Sequence, residues 1–314
     1  RVIGGIMQCK NLVSVADLER VDIDELFALT AEMKKSSKRG ATDLCLAGKT
    51  LGMIFEKSSM RTRVSFEVAM TQMGGHAIYL TKHDINLGER ESIKDVSKVL
   101  SRFIDCIAIR TYDHKTVTEL ADCSSIPVIN ALSDYTHPCQ ALTDLFTVKE
   151  KLGTLDDIKI AYVGDGNNVA RSLAFLCAKL KVTCIVATPE NYGLSEEFLG
   201  ELENSVKDKD SYIKQITDPE EAAKDADVIY TDTWISMGEE EEAETRRKDF
   251  NGFQVNSELI SHAKKGVFVM HCLPAHRGEE ITDEVMDGEH SIVYDQAENR
   301  LHVQKALLKL LINR

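Results

Sequence analysis

Short apolar, β-branched runs alternate with segments of helical periodicity along nearly the whole chain. The runs fall at residues 50–55, 77–80, 106–110, 128–130, 159–163, 183–187, 212–216, 228–231, 267–270 and 291–294. Between them lie stretches such as 92–103 and 172–181, whose apolar positions recur every three to four residues. Strand–helix alternation of this kind predicts parallel sheets covered by helices on both faces. Ten strands exceed what one open sheet holds comfortably. The pattern therefore predicts an α/β chain of two doubly wound domains with mainly parallel sheets.

The stretch 137–152 sets Ala141, Leu142, Leu145, Phe146 and Leu152 at helical spacing along one face. Pro138 suits the first helical position, where a missing N–H costs little, and Gly153 suits the stop. This segment reads as a helix bridging two domains, residues 1–136 and 153–295. A last helix is expected over 296–312, with Val303, Leu307, Leu310 and Leu311 in one stripe.

Composition narrows the class. A length of 314 residues suits two domains of ordinary size. The formal net charge of −13 argues against a nucleic-acid partner, which calls for a basic face. The eight cysteines are scattered with no Cys-x-x-Cys pair, so a reducing, cytoplasmic setting is expected. No apolar run approaches a membrane span, so no membrane partner is expected. The six residues before Met7 lack the apolar core of a signal peptide, and Met7 is a candidate native start. The acidic run 239–242 reads as a solvated loop face.

Four segments carry candidate chemistry. Ser59-Met60-Arg61-Thr62-Arg63 follows an apolar strand and opens a helix-like run. A helix N-terminus with two guanidiniums and two hydroxyls is suited to a compact anion. The others are His137-Pro138-Cys139-Gln140, Asp232-Thr233-Trp234-Ile235-Ser236-Met237-Gly238 and His271-Cys272-Leu273-Pro274. Gly164-Asp165-Gly166-Asn167-Asn168 suggests a dinucleotide fingerprint but lacks its third glycine, and reads as a tight structural turn.

In this order, the four segments resemble the aspartate/ornithine carbamoyltransferase family over nearly the whole chain. Aspartate-using members read His-Pro-Leu-Pro in the last segment and lack the Ser-Met-Gly loop, so the resemblance is to the ornithine-using side. It implies transfer of a carbamoyl group from carbamoyl phosphate to the δ-amine of L-ornithine, giving citrulline and phosphate. It implies no cofactor, no metal, and a homotrimer. It also implies that residues 296–314 pack back on the first domain, which holds carbamoyl phosphate, while 153–295 hold ornithine.

Residue by residue, the resemblance places Ser59, Met60 (through its N–H), Arg61, Thr62, Asn86, Arg110, His137, Gln140, Cys272, Leu273 and Arg300 on carbamoyl phosphate. Asn168, Asp232, Ser236 and the Met237 backbone would hold ornithine, and Arg110, His137 and Cys272 would be catalytic. Two positions depart from the pattern. Met60 stands where most members have threonine. Asn86 stands where relatives have a longer His or Gln that reaches a neighbouring subunit's phosphate site. Three other readings compete: a carbamoyltransferase for putrescine or an acylated ornithine, a dinucleotide-dependent oxidoreductase, and a non-catalytic subunit. Putrescine has no carboxylate for the Ser236-Met237-Gly238 loop, and the oxidoreductase rests on Gly164 and Gly166 alone.

Overall fold

The computed structural model describes residues 7–41, 43–206, 211–236 and 238–313. The reading of residues 1–6 as preceding a native start therefore lies outside the described residues. The chain divides into two compact units, Arg1–Phe146 with Glu298–Arg314, and Thr147–Ala297. It passes from one unit to the other within the helices Pro138–Leu152 and Val293–Ile312.

The first unit is built on four parallel strands: β1 (Thr50–Phe55), β2 (His76–Thr81), β3 (Cys106–Arg110) and β4 (Val128–Leu132). Their order is β2-β1-β3-β4. Nearly every residue of β1 and all of β3 are buried, as continuous apolar runs covered on two faces should be. Ile54, Ile107, Ile109, Leu120 and Val128 form the centre of one core. The connection from β1 leads away to β2, while β3 lies on the other side of β1. The loops after β1 and β3 thus flank a topological switch point, where open parallel sheets bind ligands. The pairings Phe55 with Thr81 and Phe55 with Arg110 bring the ends of these strands level.

The second unit has five parallel strands: β5 (Lys159–Val163), β6 (Thr183–Ala187), β7 (Ile213–Ile216), β8 (Val228–Thr231) and β9 (Phe268–His271). The order β7-β6-β5-β8-β9 again puts a switch point beside the first strand, between β5 and β8. Val163, Ile229, Phe250, Val255, Val269 and Ile281 belong to its core.

The α/β class and the parallel sheets follow the expectation, with one strand fewer. Residues 291–294 are not a strand: Ser291 makes an isolated bridge to Val269, and the helix Val293–Ile312 begins two residues later. Gln296 N already donates to Ile292 O, so helical bonding takes over where the apolar pattern suggested extension. The helix expected at 172–181 starts a turn earlier, at Asn168, because Asn167 caps it through Val169 N and Ala170 N.

Candidate active site

Beyond β1, Ser59 takes an extended backbone (φ −160°, ψ 111°) and its Oγ accepts from Thr62 N at 3.3 Å. This caps the helix Met60–Gln72 and aims its free N–H groups out of the β1 end of the sheet. The Met60 side chain is 69% exposed, so at this position only the backbone N–H is placed for a ligand. The two arginines diverge. Arg63 donates to Glu67 at 2.9 Å and lies 3.8 Å over the Tyr79 ring, tying the helix to β2. Arg61 stands in the first turn beside the cap.

The sheet and two later helices add to this end. Arg300, from Val293–Ile312, donates to Thr62 Oγ1 at 3.1 Å and to Gln140 Oε1 at 2.6 Å. Gln140 in turn donates to Asp144 at 2.7 Å. Residues 62, 140 and 300 therefore form one buried network. Arg110 ends β3 and is also buried. His137 precedes Pro138, and its carbonyl accepts from Gln140 N and Ala141 N. Its imidazole is held well below the usual histidine range by burial and by the charges of Arg300 and Arg110. It is therefore a neutral hydrogen-bonding group at neutral pH. Asn86 is not brought to this network. It caps the short helix Lys82–Ile85 in the left-handed region (φ 48°), which asparagine tolerates better than most residues. Among the described residues its side chain bonds to none of Ser59, Arg61, Thr62 or Arg300.

In the second unit the organising group is Asp232, just past β8 and 6% exposed. Its Oδ2 accepts from Asn167 Nδ2 at 2.9 Å, and its Oδ1 from Thr233 N at 2.8 Å and from the Cys272 thiol at 2.9 Å. Loops after β5, β8 and β9 thus converge at the switch point. Asn168 is the first residue of the helix Asn168–Leu180. Ser236 lies four residues past Asp232, with its N–H on Glu239 at 3.0 Å. Met237 falls outside the described residues. Leu273 adopts the left-handed region (φ 61°) before a cis bond to Pro274. Such a conformation costs a branched residue roughly 1–2 kcal/mol, and clusters at functional sites.

Residues without an assigned role in the sequence reading hold this arrangement. His271 is buried; its Nδ1 accepts from Leu273 N and its Nε2 meets Glu280 Oε1, both at 2.9 Å. Accepting at Nδ1 fixes the proton on Nε2, so Glu280 is the acceptor there. Arg246 donates to Asp165 Oδ2 at 3.0 Å and Trp234 O at 3.1 Å, and pairs with Glu239 and Glu242. The acidic run is therefore not simply a solvated face: two of its members clamp the loop after Asp232 through Arg246. Burial outweighs Arg246 and pushes the Asp165 carboxyl up to about 6. Donor atoms of Asp232, His271 and Cys272 lie within 4.8 Å of one another, as a metal site would need. Both His271 nitrogens, however, are committed to Leu273 and Glu280.

Comparison with known proteins agrees with this geometry. The model for aspartate/ornithine carbamoyltransferase matches twice, its carbamoyl-P binding domain over residues 10–150 and its Asp/Orn binding domain over 156–311. The chain belongs to the aspartate/ornithine carbamoyltransferase family. An ornithine carbamoyltransferase of Pyrococcus abyssi is 51% identical over 303 residues, 96% of each chain. The solved ornithine carbamoyltransferase from Pyrococcus furiosus superimposes with a TM-score of 0.94 at 50% identity, over 98% of this chain and 99% of that one. An anabolic ornithine carbamoyltransferase from Campylobacter jejuni does so with a TM-score of 0.91 at 39% identity, over 97% and 99%. For a carbamoyltransferase of this family, Asn167 is a residue that cap chemistry could have found. The Asp165–Arg246 pair, 81 residues apart, has no sequence signal.

Proposed function

We infer that the protein is an ornithine carbamoyltransferase, moving the carbamoyl group of carbamoyl phosphate to the δ-amine of L-ornithine. The observation that carries the acceptor is the buried Asp232 carboxylate at the β5/β8 switch point, held by Asn167 and Cys272. A fixed buried carboxylate suits the α-ammonium of an amino acid. Asn168, Ser236 and the Met237 backbone complete the proposed clamp.

The first unit supplies the donor's needs. Ser59, Thr62, Arg61 and the Met60 N–H would grip the phosphate, with Arg110 and Arg300 adding charge. The neutral amine attacks the carbamoyl carbon. Its lone pair forms the C–N bond, the carbonyl oxygen gains charge, and the C–O bond to phosphate then breaks with its electron pair leaving on phosphate. Neutral His137 and Arg110 are assigned to that oxygen, and Gln140 to the carbamoyl amide. The amine loses a proton as the bond forms, and the departing phosphate, which carries the electron pair of the broken C–O bond, takes it up as hydrogen phosphate. Because the Cys272 thiol donates to Asp232, it is assigned to guiding the amine and not to covalent attack. The Leu273 carbonyl is assigned to the carbamoyl nitrogen.

We assign the protein to the cytoplasm on its eight free cysteines. No described helix is long and apolar enough to cross a membrane. We also assign it a homotrimer, in which Asn86 acts on a neighbouring subunit. β2 is an edge strand with an outward Ile78, and exposed Met60, Val64 and Phe103 belong to the same unit.

A coupled assay with carbamoyl phosphate and a set of amines tests the reaction. Putrescine offers the same amine without a carboxylate and would leave clamp groups unpaired. Sites built on buried polar groups reject such analogues by about 10⁴-fold in good cases. Ornithine should therefore lead by orders of magnitude in kcat/KM, and Asp232→Ala should narrow that lead. Equal use of putrescine would refute the substrate while leaving the transferase reading intact.

A further inference from the structure

Away from both clusters, three helices of the first unit surround a cavity of about 290 Å³. Leu29, Glu32 and Met33 line it from Arg20–Lys38, Gln72 from the end of Met60–Gln72, and Lys305 from Val293–Ile312. Lys305 is only 5% exposed. Its ammonium donates to Ser37 Oγ and Gln72 Oε1, both at 3.1 Å. Both acceptors are neutral, and an ammonium has a third proton to give. No carboxylate among the described residues lies within ion-pair distance of it, whereas Lys309, one turn on, has Asp43 at 2.8 Å. Burial pushes Lys305 below the ordinary lysine range, against a weaker opposing pull from Cys45 and Asp43. The Glu32 carboxylate on the same cavity wall makes no hydrogen bond or ion pair to a described residue.

Asp43 and Lys309 pair directly, which leaves the cavity one buried cation and, in Glu32, an exposed carboxylate that feels Lys309 only at longer range, beside the apolar Leu29 and Met33. Those charges match a zwitterion, and the volume sits at the small end of ligand sites, which begin at about 300 Å³. We propose that this cavity binds a small α-amino acid with an apolar side chain, its carboxylate on Lys305 and its ammonium on Glu32. The location bears on the phosphate end of the unit. The helices Met60–Gln72 and Val293–Ile312 are tied by Arg300 to Thr62 near one end and by Lys305 to Gln72 near the other. A carboxylate that takes the third proton of Lys305 adds to this tie, so occupancy acts on the same helix pair that carries Thr62 and Arg300.

Calorimetric titration of the intact protein with L-leucine tests the binding directly, independent of any turnover. Two partial probes accompany it: 4-methylpentanoate, which lacks the ammonium, and isoamylamine, which lacks the carboxylate. L-leucine should bind one molecule per chain, 4-methylpentanoate more weakly, and isoamylamine not at all. Lys305→Met should weaken leucine binding by roughly tenfold or more, the loss expected for a charged hydrogen bond. Glu32→Gln, on an exposed side chain that the fold does not need, should weaken it several-fold, which decides the matter even if the lysine variant misfolds. Asp232→Asn should leave leucine binding unchanged. The proposal is overturned if leucine fails to bind at millimolar concentration, if Glu32→Gln binds it as tightly as the parent, or if Asp232→Asn abolishes binding.

Discussion

Arg61 and Arg63 stand two positions apart, and the chain uses them differently. The stack of Arg63 on Tyr79 and its bond to Glu67 are structural, whereas Arg61 stays in the capped first turn. Arg61→Ala should therefore weaken carbamoyl phosphate binding by about 10- to 100-fold, the equivalent of one charge-assisted contact of about 1.5–3 kcal/mol. Arg63→Ala should change it far less. Calorimetry on both variants checks this, and equal losses would mean that the division of labour is misread. Asp165 gives a second residue-scale outcome. Its carboxyl sits near 6 when folded against an ordinary 3.8. A raised folded value contributes stability that is full below about pH 4 and is lost as the pH rises through about 6. Relative to Asp165→Asn, the parent should lose about 2 kcal/mol between roughly pH 4.5 and 7.5. Urea unfolding of both proteins at the two pH values measures it, and parallel pH dependence would contradict the burial argument. The candidate site residues came from short local motifs, as at 59–62 and 271–274. Partners such as Arg246 for Asp165, or Glu280 for His271, did not, because their pairing is made only by the fold.

At the scale of elements, the strands were legible because buried parallel strands are continuous apolar runs. The pattern failed at 291–294, where Ile292 and Val293 are buried beside β9 but serve a single bridge and then a helix. An apolar pair cannot by itself tell a strand from a buried helix start. The glycines at 164 and 166 were correctly read as structural. A Cβ on Gly166 would lie 2.4 Å from the Gly193 backbone, so a close chain approach explains the residue without a dinucleotide. The helix Met60–Gln72 combines structure and chemistry at one residue. Ser59 both caps it and faces the proposed phosphate. Ser59→Asp keeps a capping oxygen but adds a negative charge where a dianion must sit. It should hold stability within about 1 kcal/mol, since aspartate caps as well as serine, yet weaken carbamoyl phosphate binding severely. Thermal unfolding together with the Michaelis constant for carbamoyl phosphate separates the two effects. A variant that is unstable but binds normally would show that Ser59 serves the cap alone.

At the scale of the whole molecule, the two-unit organisation was legible from strand number and from the helical stretch after His137. The second crossing came only from the family resemblance, which put residues 296–314 back on the first domain; the residue pattern itself does not mark it, because the last helix is continuous through Ala297. What one chain leaves unexplained is its exposed apolar surface. The edge strand β2 points Ile78 outward, and Met60 and Val64 lie one turn apart on an exposed helix face. A long edge left open invites pairing or aggregation, so a stable protein must cover it. Asn86, in the loop beyond β2, is also outside its own chain's Thr62–Gln140–Arg300 network. Both observations are met if neighbouring copies cover this edge and receive Asn86. Sedimentation should then give three times the 35.0 kDa of one chain. Paired charges at Val64→Asp and Ile78→Asp should shift the protein toward monomer and lower its affinity for carbamoyl phosphate. Asn86→Ala should lower that affinity with the trimer intact, which separates the missing contact from the missing neighbour. A monomer that keeps full activity would refute the cross-subunit role, because Asn86 would then have no phosphate within its reach.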